Sequence, residues 1–165
     1  MANEKAFRRM YENHVNDIYV YLYWRTNDQD IANDLTSEVF TKAWRNWPSF
    51  DGKYPKAWFF TIAKNQLTDH WRKKRDLPIS DEVRENILDE SLPTSDVIDT
   101  EINKKKLYKA IGTLPDSMQN VIELKVLNSL SAKETGEILG LSEPNVRIIQ
   151  HRALKRLKEW YEKNS

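Results

Sequence analysis

Ser131-Ala-Lys-Glu-Thr-Gly-Glu-Ile-Leu-Gly-Leu-Ser-Glu-Pro-Asn-Val-Arg147 holds the start and stop signals on which the fold turns. Ser131 followed three residues later by Glu134 has the form of a capping box, in which hydroxyl and carboxylate satisfy exposed backbone donors at a helix start. That helix runs to Leu139 and meets Gly140, which can take the left-handed conformation that closes a helix. Ser142 then caps a second helix, with Pro144 tolerated in its first turn. Val146, Ile149, Ala153, Leu157 and Trp160 form its inward stripe, and its other face displays Glu143, Asn145, Arg147, Ile148, Arg152 and Lys155. A short helix, a glycine turn and a longer helix with a polar, basic outer face is the helix-turn-helix arrangement, whose second helix enters the DNA major groove N-terminus first.

The plainer reading is a helical hairpin whose outer face is charged because it is solvated. The coincidence of small Gly136, turn Gly140, Leu141 and Val146 at the right offsets favours DNA. On that reading Arg147, Arg152 and Lys155 reach phosphates or guanine, Asn145 pairs with adenine, and Ile148 meets a thymine methyl. His151 is a candidate phosphate contact.

Upstream, helical spacing dominates. Phe7, Tyr11, Ile18 and Leu22 share one face of a first helix that Asn27 and Asp28 stop. Ile31, Leu35, Val39, Ala43 and Trp47 recur every four residues in a second helix, which Asp28 can cap. Pro48-Ser49-Phe50-Asp51-Gly52 reads as a loop. Pro55 opens a third helix that carries Trp58, Phe59, Ile62, Ala63, Leu67 and Trp71 inward and ends in Arg72-Lys73-Lys74-Arg75. Spacing dissolves over residues 77–100, with at most one turn around Val83 to Leu88. It returns at Ile102, Leu107, Ala110 and Leu114, breaks at Pro115, and resumes through Met118, Val121, Ile122 and Leu127. No β-alternation is seen, and only four glycines are available to punctuate hairpins. The expected fold is all-α: two small helical domains, residues 1–76 and 101–165, joined by a linker, the second domain being a helix-turn-helix.

The charge distribution follows the same division. The 165 residues carry 26 Lys and Arg against 25 Asp and Glu, a net of +1 that says nothing about partners. Counted by segment, residues 1–76 carry +3, 77–100 carry −6 and 101–165 carry +4. Two basic domains flank an acidic tether. With no cysteine, disulfides, thiolate metal sites and a cysteine nucleophile are excluded. The N-terminus has no apolar leader core, and the longest apolar-rich run, Ala57 to Ala63, is too short to span a bilayer, so a cytoplasmic protein without membrane insertion is expected.

Between Trp44 and Trp71, aromatic residues alternate with Arg45, Lys53, Lys56, Lys64 and the basic run. Rings that stack on bases beside cations that track phosphates suit single-stranded nucleic acid. Core packing is the competing reading for each ring. Phe50 and Tyr54, in the loop outside any helical stripe, and Trp58, at the helix start, are the better base contacts.

Asp34-Leu-Thr-Ser-Glu-Val-Phe-Thr-Lys-Ala-Trp44, then Ala57-Trp-Phe-Phe-Thr-Ile-Ala-Lys-Asn65, Asp69 and Arg72, resemble the second region of the extracytoplasmic-function (ECF) sigma factors. Leu114-Pro115, the helix-turn-helix and His151-Arg-Ala-Leu-Lys-Arg-Leu157 resemble their fourth region, so that only the linker lies outside the likeness. The resemblance implies a specificity subunit of bacterial RNA polymerase that directs promoter-specific transcription initiation. Its partners would be core polymerase, promoter DNA and an anti-sigma factor, and it would be a monomer when free. It places Asp34, Leu35, Glu38, Phe40, Lys42 and Trp44 toward the polymerase clamp. Phe50, Lys53, Tyr54, Lys56, Trp58, Lys64, Asn65, Arg72 and Arg75 would meet the minus 10 element, and Glu143, Asn145, Arg147, Ile148, His151, Arg152 and Lys155 the minus 35 element. The linker would pass through the RNA path. Thr135-Gly136 stands where the family usually has Ile-Ala, and glycine inside a helix costs about 1 kcal/mol relative to alanine, which predicts a less rigid supporting helix. Ile148-Ile149 replaces a frequent Ser-Arg pair, so no minus 35 sequence preference carries over.

Another function class fits part of the pattern: a dimeric helix-turn-helix regulator with a sensory or dimerisation domain at its N-terminus. Such a protein binds two-fold symmetric duplex sites alone. The acidic tether and the basic, aromatic first domain favour the sigma factor. An enzyme finds no support, since His14, His70 and His151 lie far apart without a metal or acid-base motif and no glycine-rich phosphate loop exists. No cofactor is expected.

Overall fold

The computed structural model describes residues 2–75 and 98–164. They form two units, each with its own helical core, and no β-strand occurs among the described residues.

The first unit is built from α1 (Ala2–Thr26), α2 (Gln29–Asn46) and α3 (Pro55–Arg75). Asn27 takes a left-handed φ of 55°, which turns the chain out of α1, and the Asp28 side chain accepts the Ile31 N–H at 3.0 Å to start α2. So short a connection makes the two helices antiparallel neighbours. One 3-10 turn, Trp47–Ser49, follows α2, and its Ser49 hydroxyl donates to the Asn46 carbonyl at 2.8 Å. Ile18 and Leu22 of α1, Val39 and Ala43 of α2, and Phe59, Phe60 and Ala63 of α3 are fully buried. Burial of each phenylalanine contributes about 1.5 to 3 kcal/mol. The Phe59 and Phe60 rings are further held by Phe40 at 5.1 Å and Tyr21 at 5.5 Å.

The second unit comprises α4 (Ile98–Gly112), α5 (Asp116–Val121), a π-helical continuation (Ile122–Leu127), α6 (Ala132–Leu139) and α7 (Glu143–Lys163). Its α4 begins inside the stretch read as linker. The rest of that stretch, including Val83 to Leu88, lies outside the described residues. The π segment is a departure from the expected plain helix. Wider i→i+5 bonding accommodates four consecutive buried residues, Val121 to Leu124, which one stripe of an α-helix cannot supply. Asn128 closes it, its backbone and side-chain N–H groups both donating to the Glu123 carbonyl, at 3.1 and 2.7 Å. Ala153 and Leu157 of α7 pack with Ala110, Ile111, Leu114 and Ile122, while Val146 packs with Val121 and Ala132. Among the described residues no helix is long and apolar enough to cross a membrane.

Candidate nucleic-acid interface

The outer face of α7 is set by local bonds that the sequence announces. The Ser131 hydroxyl accepts the Glu134 N–H, and the Glu134 carboxylate accepts the Ser131 N–H, each at 3.0 Å. Gly140 adopts φ 70°, and the Gly136 carbonyl accepts the N–H groups of Gly140 and Leu141. Ser142 then caps α7 through the Asn145 N–H at 3.3 Å. Two caps of this kind contribute about 1 kcal/mol each.

Gly136 has a steric role that helix propensity does not register. A Cβ built on it would overlap the backbone carbonyl oxygen of Leu141 and sit 3.5 Å from Val146. Glycine is what lets the turn close onto α6, so its propensity cost accompanies a tighter junction.

Burial of Val146, Ala153 and Leu157 rotates Glu143, Asn145, Arg147, Ile148, His151, Arg152 and Lys155 outward, and all seven are exposed. One pair on this face is already engaged: Arg147 Nη2 donates to Glu143 Oε1 at 2.6 Å. Exposed Leu154, at 43%, stands beside them and escaped the sequence reading.

In the first unit, the loop between the 3-10 turn and α3 is ordered by rings. Phe50 clusters with Trp47 and Trp58, with centroids 5.3 and 4.5 Å away and planes inclined by 26° and 27°, and the two tryptophans are themselves 6.0 Å apart. Phe50 and Trp58 are therefore partly buried packing partners, in keeping with the inward stripe for Trp58, whereas Phe50 packs although it lies in the loop. Tyr54 has no such partner among the described ring contacts: it is 66% exposed, with φ 54°. Lys53 is exposed, whereas half-buried Lys56 pairs with Asp17 of α1 at 3.7 Å. Along α3, Asn65, Arg72 and Arg75 are exposed and Lys64 is half-buried, and Arg72 lies 3.7 Å from Asp69.

The α2 candidates separate. Leu35 and Phe40 are each only 6% exposed, so their side chains belong to the core. The apolar stripe every fourth residue claims Leu35, and Phe40 packs edge-on against Tyr11 at 4.8 Å. Asp34, Glu38 and Lys42 are exposed at i, i+4 spacing. Buried Gln66 of α3 lies against two of them, and the amide orientation that satisfies both has it donating to Glu38 at 2.9 Å and accepting from Lys42. Trp44 occupies the α1 flank, its ring edge-on to Phe7 at 5.0 Å.

Two histidines of the first unit have lowered pKa values. Burial lowers the His14 imidazole below its ordinary value, Lys56 lowers it further and Asp17 opposes them. Burial likewise lowers His70, aided by Lys74 and opposed by Glu38 and Asp28. Among the described residues no three His, Cys, Asp or Glu side chains gather in a way that would hold a metal ion.

The family model described as Sigma-70 region 2 matches residues 10–76, and that described as Sigma-70, region 4 matches residues 110–159. The chain is 33% identical over 153 residues to the ECF RNA polymerase sigma factor SigM of Bacillus subtilis, covering 92% of this chain and 93% of that protein. Its fold is similar to that of the sigma factor RpoE from Bartonella quintana, solved in complex with the anti-sigma factor NepR, with a TM-score of 0.77 and 23% identity over 96% of this chain and 98% of that one. CnrH, solved in complex with the cytosolic domain of CnrY, gives 0.69 and 22% over 98% and 91%.

Proposed function

The chain belongs to the ECF sigma factors, which direct promoter-specific transcription initiation by RNA polymerase, and we propose that its two units divide the promoter between them. On this reading α7 lies in the major groove of the minus 35 element. Arg152, Lys155 and His151 hold phosphates, and Asn145, Arg147 and Ile148 face base edges, with Glu143 orienting Arg147. The first unit takes the minus 10 element: the Tyr54 ring stacks on an unpaired base, while Lys53, Lys64, Asn65, Arg72 and Arg75 follow the strand. Lys56, Phe50 and Trp58 hold the loop in place. Asp34, Glu38 and Lys42, with Trp44 on the neighbouring flank, form the face toward core polymerase.

The observation that carries this reading is the outward set of seven side chains on α7, fixed by the Ser131 and Ser142 caps and the Gly136–Leu141 contact. A sigma factor is not an enzyme; bond formation belongs to the polymerase it joins. We further propose that the free chain is a cytoplasmic monomer restrained by an anti-sigma factor, as the Bartonella quintana relative was solved with one. Run-off transcription with purified core polymerase tests the assignment. Specific transcripts that need both chain and core, together with co-elution on size exclusion, are expected. Failure to bind core, with tight binding to a palindromic duplex by the chain alone, would overturn it.

A further inference from the structure

Five residues, Phe50 to Tyr54, join the 3-10 turn to α3, and each end of this loop is clamped. The Phe50 ring packs in one cluster with Trp47 and Trp58, and its N–H donates to the Trp47 carbonyl at 3.1 Å. At the far end the Tyr54 carbonyl accepts the Trp58 N–H at 3.1 Å, inside the first turn of α3. The middle is held by one side chain: Asp51 Oδ1 accepts the Lys53 N–H at 2.8 Å, an Asx turn.

That turn spans Gly52, at φ 83°, and delivers the chain to Tyr54 at φ 54°. Left-handed backbone is ordinary for glycine and unfavourable for an aromatic residue, and it persists only where the surroundings over-determine it. The residue before a proline favours extended backbone, and Pro55 follows Tyr54 directly, so the left-handed φ is imposed by the rest of the loop. With the aromatic cluster at one end and the Asx turn in the middle, the loop leaves the Tyr54 ring 66% exposed.

We propose that Asp51 is a positioning residue for base capture, acting on DNA only through Tyr54: its carboxylate folds the loop into the one backbone path that presents the tyrosine ring outward. The proposal rests on the reading of Tyr54 as the base-stacking ring. A preformed platform spends no binding free energy on ordering itself when a base arrives. The acceptor in the turn is a single oxygen, so an asparagine can replace the aspartate there, whereas alanine cannot.

The experiment measures the affinity of holoenzyme for the single-stranded minus 10 non-template oligonucleotide by fluorescence anisotropy. The variants are Asp51→Ala, Asp51→Asn, Tyr54→Ala and the double Asp51→Ala/Tyr54→Ala, each checked for an unchanged melting temperature. Tyr54→Ala is expected to weaken binding about ten-fold through lost stacking. Asp51→Ala should weaken it about three- to ten-fold through the lost turn. Asp51→Asn should bind like the parent, and the double variant should be no weaker than Tyr54→Ala alone. Equal loss in the asparagine and alanine variants, an additive double variant, or an Asp51→Ala variant that binds like the parent would overturn the proposal. Parent-like binding by Tyr54→Ala would overturn the base-capture reading itself, a result distinct from failure of Asp51 alone.

Discussion

Gly136 and Leu141 approach so closely that the space for a Cβ on residue 136 is occupied by the Leu141 carbonyl oxygen. Helix propensity and sterics therefore predict opposite signs for Gly136→Ala. Propensity favours alanine by about 1 kcal/mol. Forcing atoms into a packed junction costs about 1 to 3 kcal/mol, and a backbone oxygen cannot rotate away as a side chain can. The expected outcome is a net loss of about 1 to 2 kcal/mol in urea denaturation, with minus 35 binding weakened because α7 is re-aimed. A stabilised variant would mean that the junction relaxes without cost.

The adjacent residue should behave in the opposite way. Thr135 is fully buried, and its hydroxyl finds no hydrogen-bond partner among the described residues. Thr135→Val keeps the shape and removes the unsatisfied group, with an expected gain of about 1 kcal/mol. Thermal denaturation of the same protein series measures it. A loss would reveal a bond that the hydroxyl makes in solution.

On α7, the Glu143–Arg147 pair is more than half exposed on the arginine side, so it contributes only about 0.3 to 0.5 kcal/mol to stability. Its expected consequence is for recognition. Arg147→Ala should lower discrimination at one minus 35 position by about 1 to 3 kcal/mol. Glu143→Ala should leave affinity nearly intact while broadening preference at the same position, because the guanidinium is no longer aimed. Lys155→Ala should weaken binding uniformly across sequences and reduce the salt slope by about 1. Binding titrations on a panel of single-base promoter variants at several salt concentrations separate the three. Uniform loss in Arg147→Ala would make it a phosphate contact.

Backbone punctuation was legible in the sequence because it is local. Asp28, Ser131, Gly140 and Ser142 act on atoms within four residues, and each makes the bond or turn its position announces. What was not legible depends on partners distant in the chain. The ring of Phe40 is claimed by Tyr11, from another helix. Phe50 sits outside any helical stripe yet packs against Trp47 and Trp58. Gln66 has no periodic signal that would place its amide against Glu38 and Lys42. The π segment needed four adjacent buried residues to be weighed against a single stripe, and the clash that requires Gly136 exists only once α6 has met the turn.

The two lowered histidines give the first unit a pH dependence. Unfolded, each imidazole returns to its ordinary value of 6.5. Between the lowered folded value and 6.5 the unfolded chain binds more protons, so stability rises with pH through that window. It is fully present above 6.5 and is lost as pH falls below it. Guanidinium denaturation followed by tryptophan fluorescence at pH 5.5 to 7.5 reads this unit well, because five of the six tryptophans precede residue 76. Replacing both His14 and His70 by glutamine should flatten the dependence. An unchanged slope in the double variant would assign the effect to other groups.

Separating Phe50 from Tyr54 distinguishes packing from strand opening, since one ring is stacked within the unit and the other is presented to solvent. Phe50→Ala removes a ring packed against both Trp47 and Trp58, and each aromatic pair is worth about 0.5 to 1.5 kcal/mol beyond its area. Its melting temperature should fall, and activity should drop on duplex and pre-melted templates alike. Tyr54→Ala removes a ring that is 66% exposed, so its melting temperature and polymerase binding should stay at the parent level. Extruding a base costs a few kcal/mol, and stacking on one ring returns about 1 to 3 kcal/mol. Loss of that ring should therefore lower open-complex yield on duplex promoter, and a pre-melted bubble, which removes the unpairing cost, should restore most of the activity. Permanganate reactivity of unpaired thymines, alongside transcription from both templates, makes the comparison. Unchanged melting of the promoter by Tyr54→Ala, or equal loss on both templates, would remove Tyr54 from strand opening.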